Sequence, residues 1–418
     1  MWRCCGLGLA AIALASSPAA QAKKSIAEVP VPASRILVAP LGFTAPAAIY
    51  QPYRIPESSL GFLDENHLLF TFHVARLMRR VPDDPSSNLD QTVRALVIDL
   101  PDGKVSAQED WRLHDRDRYV WMLGDGTFLL RKRDAVFLGN KSLQQLHLYL
   151  QPLGTFMYGE LAPAARNFEI EFVNQVHTLG DQGSTAPAPT LGPDAPRLDT
   201  PRQQYTMLIF NTHSLSSKRV NDLVHPIILP LIAGGYITPE QRKGREWALM
   251  MNPWQGAPHE ITKLTSSCRP EIEPISDDTL LSLSCLPYTT DHIVQAFDLS
   301  GKELWEQRWQ SRFVWGTFAF SHTGNRFAYG SIEVSHELGT LDPVEDESIL
   351  GQPIGVFEVK TGKLDLVLSA TPVMTAGENF ALSPSGNKFA IVRNGAIEIY
   401  NLPPIETAPE KPAGKSKQ

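Results

Sequence analysis

One phrase restricts the fold of this chain more than any other feature. Phe380-Ala381-Leu382-Ser383-Pro384-Ser385-Gly386-Asn387-Lys388-Phe389-Ala390-Ile391-Val392 runs from an apolar stretch through a polar turn into a second apolar stretch, and Asn394-Gly395 then leads into Ala396-Ile397-Glu398-Ile399-Tyr400. Asn-Gly is a strong hairpin signal because both residues tolerate positive φ. The segment is therefore predicted to form three antiparallel strands. The phrase returns almost position for position at Phe318–Tyr329, and more loosely at Leu60–Phe70, Val120–Leu130 and Ile275–Leu281. A second phrase, strand then Gly turn then strand, follows at Ala95–Val105, Val294–Leu304 and Gly355–Leu364. Two hairpins per unit make a four-stranded sheet. Such a sheet cannot bury both of its faces alone, so the units must stack on one another.

The first-phrase turns fall near residues 65, 125, 277, 323 and 385. The gap between 125 and 277 has room for two further units, with strands expected at Phe168–Phe172, Tyr205–Phe210, Ala248–Met251 and Glu260–Leu264. The two phrases resemble exported WD40-like or YVTN-type β-propeller repeats over Leu60–Leu148 and Glu271–Tyr400. The expected fold is all-β: a β-propeller of seven blades, each of four antiparallel strands, with six or eight blades also compatible. The last unit shows only three strands before Pro403-Pro404, while Arg35–Ala39 has no blade of its own. The resemblance implies that this N-terminal strand completes the terminal blade.

At the N-terminus, Arg3, an apolar run from Cys5 to Ala15 and Ala20-Gln21-Ala22 read as a signal peptide over 1–22. The propeller then spans 23–402, and 403–418, rich in Pro and Lys, reads as a disordered tail. Cys268 and Cys285 remain after cleavage. Export favours a disulfide between them; buried free thiols and a metal site are the alternatives. A formal charge of -7 supplies no broad attraction for nucleic acid. The apolar leader is too short for an uninterrupted membrane helix, and no transmembrane segment is expected in the mature chain.

In a propeller, the turns inside the two hairpins face one side, and the connections between second and third strands face the other. The hairpin turns are short throughout. Insertions are expected near 74–91, 181–201, 223–245 and 335–352. The first carries Arg76, Arg79, Arg80, Asp83 and Asp84, and the last carries His336, Glu337, Asp342, Glu345 and Asp346. Binding residues concentrate on loops held by a rigid scaffold, so these ten are the candidate partner-binding rim; loop growth on a solvated face is the plainer alternative. Within 223–245, Thr238-Pro239-Glu240-Gln241 carries helix-start signals, and a short helix is expected from Pro239 to Lys243. The apolar Ile227–Ala233 is either packed on the rim or an exposed lip.

The sequence carries few patterns of catalytic chemistry. No two of the eleven histidines stand three or four apart, and the GxSxG and P-loop patterns are missing. His73, His147 and His177, in or beside strand patterns, are expected to be packed, as are Trp305 and Trp309 between blades. No catalytic residue, metal ligand or cofactor is assigned. The reading is an exported, monomeric binding or scaffold propeller. Its partner, a protein, peptide or carbohydrate, meets the long-loop face. The alternative is a propeller-based enzyme: a lyase, a hydrolase or a quinone-dependent dehydrogenase. Asp298–Trp305 is similar to a quinoprotein-type repeat.

Overall fold

Each repeat unit closes into its own sheet before it meets a neighbour. The computed structural model describes residues 30–44, 58–74, 90–113, 118–176 and 202–405, except for 145, 152, 165, 215, 224–228, 233, 289–290, 311–312, 337–344, 372 and 374–378. Within them lie seven separate antiparallel sheets and no α-helix. Blade 1 comprises β2 (Ser58–Asp64), β3 (His67–Val74), β4 (Gln91–Asp99) and β5 (Lys104–Leu113). Blade 2 comprises β6 (Val120–Met122), β7 (Thr127–Lys132), β8 (Ala135–Asn140) and β9 (His147–Leu150). In blade 3 the strands are β10 (Thr155–Leu161), β11 (Asn167–Val176), β12 (Arg202–Asn211) and β13 (Ser217–Leu223). Those of blade 4 are β14 (Leu231–Ile232), β15 (Gly235–Gln241), β16 (Glu246–Pro253) and β17 (His259–Thr265). Blade 5 has β18 (Glu271–Pro274), β19 (Thr279–Cys285), β20 (His292–Asp298) and β21 (Glu303–Trp309). Blade 6 has β22 (Phe313–Phe320), β23 (Arg326–Val334), β25 (Pro353–Glu358) and β26 (Leu364–Ser369), with β24 (Ile349–Gly351) as an extra pairing on β23. In blade 7, β27 (Phe380–Leu382), β28 (Lys388–Arg393) and β29 (Ala396–Asn401) are joined by β1 (Ser34–Leu37), which pairs with β29 from Ser34↔Ile399 to Leu37↔Ala396.

The count is seven, and the ring closes with the N-terminal strand on the last blade. Period-two alternation lets each strand feed two interfaces. Phe168, Ile170 and Phe172 of β11 pack against Trp121, Leu129 and Val136 of blade 2. Ile36, Ile397 and Ile399 meet Phe62, Phe70 and Ile98 across the closure. Trp305 sits in the blade 5–6 interface and donates its indole N–H to the Val359 carbonyl at 2.9 Å.

Three sequence expectations are corrected. Pro239–Lys243 is not a helix: Thr238, Pro239 and Glu240 pair with Met250, Leu249 and Ala248 in β15–β16. The Thr238 hydroxyl accepts from Asn252 Nδ2 at 2.9 Å instead of capping a helix, so cross-strand pairing overrides the local start signals. The segment 223–245 is accordingly not an insertion on the rim but supplies the first two strands of blade 4, with Leu229, Leu231 and Ile232 buried. His73 and His147 are exposed, the first near the end of β3 and the second on the outermost strand of blade 2, and His177 lies outside the described residues.

Cys268 and Cys285 are bonded to each other, tying the entry to β18 to the end of β19. Replacing both by serine is expected to lower stability by about 3 kcal/mol in the chain-entropy account of a loop this long. Urea melts of the oxidised protein and of the double variant check it.

Candidate functional site

The turns of the first hairpins meet one another around one end of the ring. Ser385 N–H donates to Glu65 Oε1 at 2.6 Å and Lys388 Nζ to the Glu65 carbonyl at 2.7 Å, joining blades 7 and 1. Asn325 Nδ2 reaches the Ser385 carbonyl at 2.9 Å, and Gly126 N–H the Leu63 carbonyl at 2.8 Å. Arg166 of blade 3 pairs with Asp277 of blade 5 at 3.1 Å. His322 of blade 6 lies against the blade 2 turn so closely that a Cβ on Gly124 would stand 1.8 Å from its Nδ1. Burial pushes the His322 pKa down to about 4, against the pull of Asp125, a hydrogen bond to the Leu123 backbone, and Glu65. The repeated turn phrase therefore narrows this end of the channel.

The channel itself is not uniform. Its wall is made by the first strand of each blade, and in blade 4 that strand has only two residues. Ile237 N–H still donates to the Pro230 carbonyl. Two residues further along the same edge stands Pro239, which has no N–H to leave unpaired. Where the rest of a first strand would run, a cavity of about 720 Å³ opens between β10, β15 and β18. Its walls include Leu161, Ile237, Pro239, Ile272, Pro274 and Phe320, with Tyr158, Glu160, Glu271, Glu273 and Arg269 among them. Glu160, Leu161, Ala162, Pro163, Glu273 and Phe320 also line the central channel, so the two spaces adjoin.

The carboxyl groups come from alternation. On β11, Phe168, Ile170 and Phe172 face blade 2, which leaves Glu169 and Glu171 on the face toward blade 4, both fully buried. Glu169 pairs in register with Glu160, and Glu171 with Tyr158. Tyr158 donates to Glu160 Oε2 at 2.9 Å, and Arg118 lies 3.5 Å from Glu160 Oε1. Glu169 Oε1 accepts from Leu229 N–H at 3.2 Å, while its Oε2 has no hydrogen-bond partner. Burial, partly offset by that bond and reinforced by Glu160 and Glu171, pushes Glu169 up to about 8. Glu273 is partly exposed where it lines the channel, with protein around most of it. Burial, then Glu160 and Glu271, raise its pKa well above the ordinary carboxyl range. Burial and Glu160 likewise raise the Tyr158 phenol.

Stability should follow these groups. Between the ordinary value of 4.5 and about 8, folded Glu169 holds a proton that the unfolded chain has lost, so stability falls as pH rises through this window. His322 acts oppositely, losing stability as pH falls from 6.5 toward 4. Above 6.5 the carboxyl effect stands without the histidine. Replacing Glu169 by Gln is expected to flatten the decline from pH 6.5 to 8, leaving the share due to Glu273, and to stabilise the protein at pH 8 by up to roughly 4 kcal/mol. Urea unfolding across that range measures it.

A second concavity lies between blades 5 and 6. Trp309, Phe318, Tyr329 and Phe357 line a groove of about 490 Å³, with His292, Arg308 and Glu271 also in its lining. Trp309 and Tyr329 stack with centroids 4.3 Å apart. Glu271 and His292 begin their strands, Trp309 ends one and Pro353 begins another, all at the end of the blades that carries the connections between second and third strands, while Phe318, Tyr329 and Phe357 line the groove along the strands.

The rim expected from sequence is only partly described. Arg76, Arg79, Arg80, Asp83, Asp84, Glu337 and Asp342 lie outside the described residues. His336 follows the end of β23, Glu345 is exposed, and Asp346 begins a 3-10 turn ahead of β24. The second-to-third-strand connections of blades 1, 3 and 6 cover 75–90, 177–201 and 335–352, with β24 inside the last. The channel carboxyls were missed. The alternating Phe168-Glu169-Ile170-Glu171-Phe172 was their signal: it reads as one wet face, although a middle blade has none.

No protein-family model and no curated protein matches the chain. Among solved structures, an acylaminoacyl peptidase of Pyrococcus horikoshii is 8% identical, with 81% of this chain and 50% of that one covered and a TM-score of 0.46. The chain thus spans about half the length of that enzyme. TolB from Acinetobacter baumannii is 11% identical, covering 77% and 75%, with a TM-score of 0.35. The calcium-binding protein regucalcin from Agrobacterium tumefaciens is 12% identical, covering 80% and 97%, with a TM-score of 0.36. At such identities the likeness is one of fold.

Proposed function

We propose that the protein is an exported propeller acting as a binding or scaffold module, and that its partner, a protein or peptide, meets the face carrying the long connections. The observation that carries this reading is the aromatic groove between blades 5 and 6, whose Trp309, Phe318 and Tyr329 have the form of interface anchors with a charged rim at Arg308 and Glu271. On the opposite face, the short first-hairpin turns of blades 6, 7, 1 and 2 are hydrogen-bonded to one another. Export is supported by the leader-like 1–22 and by the Cys268–Cys285 bond, since disulfides persist in oxidising compartments. Among the described residues no helix is long and apolar enough to cross a membrane.

A photo-crosslinking residue at Val367, exposed beside the groove, is expected to capture a partner in the exported fraction. The same residue at Ser300, in a hairpin turn of blade 5, should not. Capture from Ser300 alone would mean that the working face has been assigned backwards. The complementary loops make a second arm. Replacing Arg76, Arg79 and Arg80 by Ala, or deleting 335–352, should slow association more than it changes final affinity, as charge steering does.

A further inference from the structure

The cavity beside the shortened inner strand of blade 4 has a chemistry of its own, although Glu271 lines both it and the outer groove. Three carboxyl groups line it, Glu160, Glu271 and Glu273, against one cation, Arg269. Glu160 is occupied by Tyr158 and Arg118. Glu273, the deepest of the three, makes no hydrogen bond or ion pair with any described residue, although it lines both the cavity and the channel. Behind the wall, the fully buried Glu169 has one carboxyl oxygen without a partner. Polar groups withdrawn from water and left unsatisfied are costly, and native proteins keep few of them. Of the two, only Glu273 lines the cavity, and its carboxyl, without a protein partner, is the one a ligand there would satisfy.

The rest of the lining narrows the class. An anion is opposed by the excess of carboxylates. A bare metal ion needs convergent ligands, and among the described residues no group of three His, Cys, Asp or Glu is placed to hold one. Much of the wall is aliphatic or proline, which suits methylene groups rather than a hydrated ion. The volume of about 720 Å³ is that of a small-molecule site. We propose that this cavity binds a small organic cation, an ammonium or guanidinium group on an aliphatic body, with Glu273 receiving the charge and Leu161, Ile237 and Ile272 covering the body. Glu271, exposed at the entrance, draws the cation in.

Binding is then linked to protons. In the empty cavity burial favours the neutral form of Glu273, and an entering cation favours the carboxylate, so uptake releases protons. The titratable and charged groups that line the same spaces are Tyr158 and Glu160 from blade 3, Arg118 from the entry to blade 2, Arg269 and Glu271 from blade 5, and His322 from blade 6; Thr238 and Pro239 line the cavity from blade 4 without charge.

The test is calorimetry and thermal melting of the full chain with agmatine, which carries both cationic groups on a four-carbon chain, and with pentane-1,5-diol as the uncharged control. Agmatine is expected to raise the melting temperature in a saturable way, and to release protons, seen as heats that differ between phosphate and Tris at the same pH. Glu273→Gln should weaken agmatine at least tenfold. Gln resembles the neutral carboxyl already there, so the fold should survive. Glu271→Gln, at an exposed position, should weaken it severalfold and guards against a folding artefact in the first variant. A capped Gly-Arg-Gly peptide tells the sources apart: equal or tighter binding through Glu273 assigns the cation to a side chain of a partner, and weaker binding assigns it to a free amine. The proposal is overturned if agmatine gives no saturable shift, if the diol matches it, or if both variants bind it like the wild type.

Discussion

Replacing Arg326 by Ala is expected to destabilise the protein by about 3–5 kcal/mol, because it strands a buried carboxylate. The Arg326 and Asp365 side chains are both completely buried, with Nε 2.8 Å from Oδ2. The same guanidinium donates to the Gly386 carbonyl at 2.8 Å and to that of Pro403, so one side chain ties blade 6 to the turn of blade 7 and to the segment leaving it. Lys363 is the nearest remaining cation, 3.7 Å from Asp365 Oδ1, and half exposed. It cannot replace a planar fork serving three acceptors at once. Replacing Arg326 by Met and Asp365 by Leu together should cost less than the single change, since no unpaired charge is left inside. Urea midpoints of the three proteins decide it; a double variant as damaged as the single one would show that the carbonyl contacts, not the ion pair, carry the effect.

Removing residues 1–40 should have an effect of similar size with an added symptom. The truncation deletes β1 and with it two buried side chains, Ile36 and Val38. Burial of that kind is worth about 1.5–3 kcal/mol per side chain, so a loss of roughly 3–6 kcal/mol is expected. Ile36 also bridges blades, since a Cβ on Gly103 of blade 1 would lie 2.8 Å from it. Without β1, β29 becomes an unpaired edge beside the apolar Ile397 and Ile399. Such an edge invites pairing with another chain. A lower melting temperature together with larger species on size exclusion is the expected result. An unchanged melting temperature and a monomeric profile would mean that the ring is held by blade packing alone.

Both predictions act on contacts that hold the last blade, and the two devices were unequally visible beforehand. Arg35–Ala39 could be assigned because the last repeat lacked a strand and the first apolar segment lacked a blade. Arg326 sits inside the repeated phrase, yet nothing local marks it: its place in Phe320-Ser321-His322-Thr323-Gly324-Asn325-Arg326-Phe327 corresponds to Lys388 in the last repeat, which instead reaches Glu65. Equivalent repeat positions thus take different partners in different blades. The rim residues were readable as loop chemistry, while the channel carboxyls were not, because their meaning depends on what covers them.

By itself, the sequence determined whatever depends on near neighbours in the chain. Asn394-Gly395 sets a hairpin turn with Asn394 at φ 49° and Gly395 at φ 72°, and period-two alternation sets the strands flanking it. Repetition of those local units set the architecture and, through the missing strand, its closure. The tertiary structure alone decided where an alternating strand has no wet side, and so turned Glu169 and Glu171 from a solvent face into an interior one. It also decided that Thr238-Pro239 extends against β16 instead of starting a helix, and that blade 4 keeps only two residues of inner strand. The reason is the same in each case. A helix cap or a tight turn is an energy between residues a few positions apart, whereas burial of a face and the length of an inner strand are set by neighbouring blades, distant in sequence and brought together only by the ring.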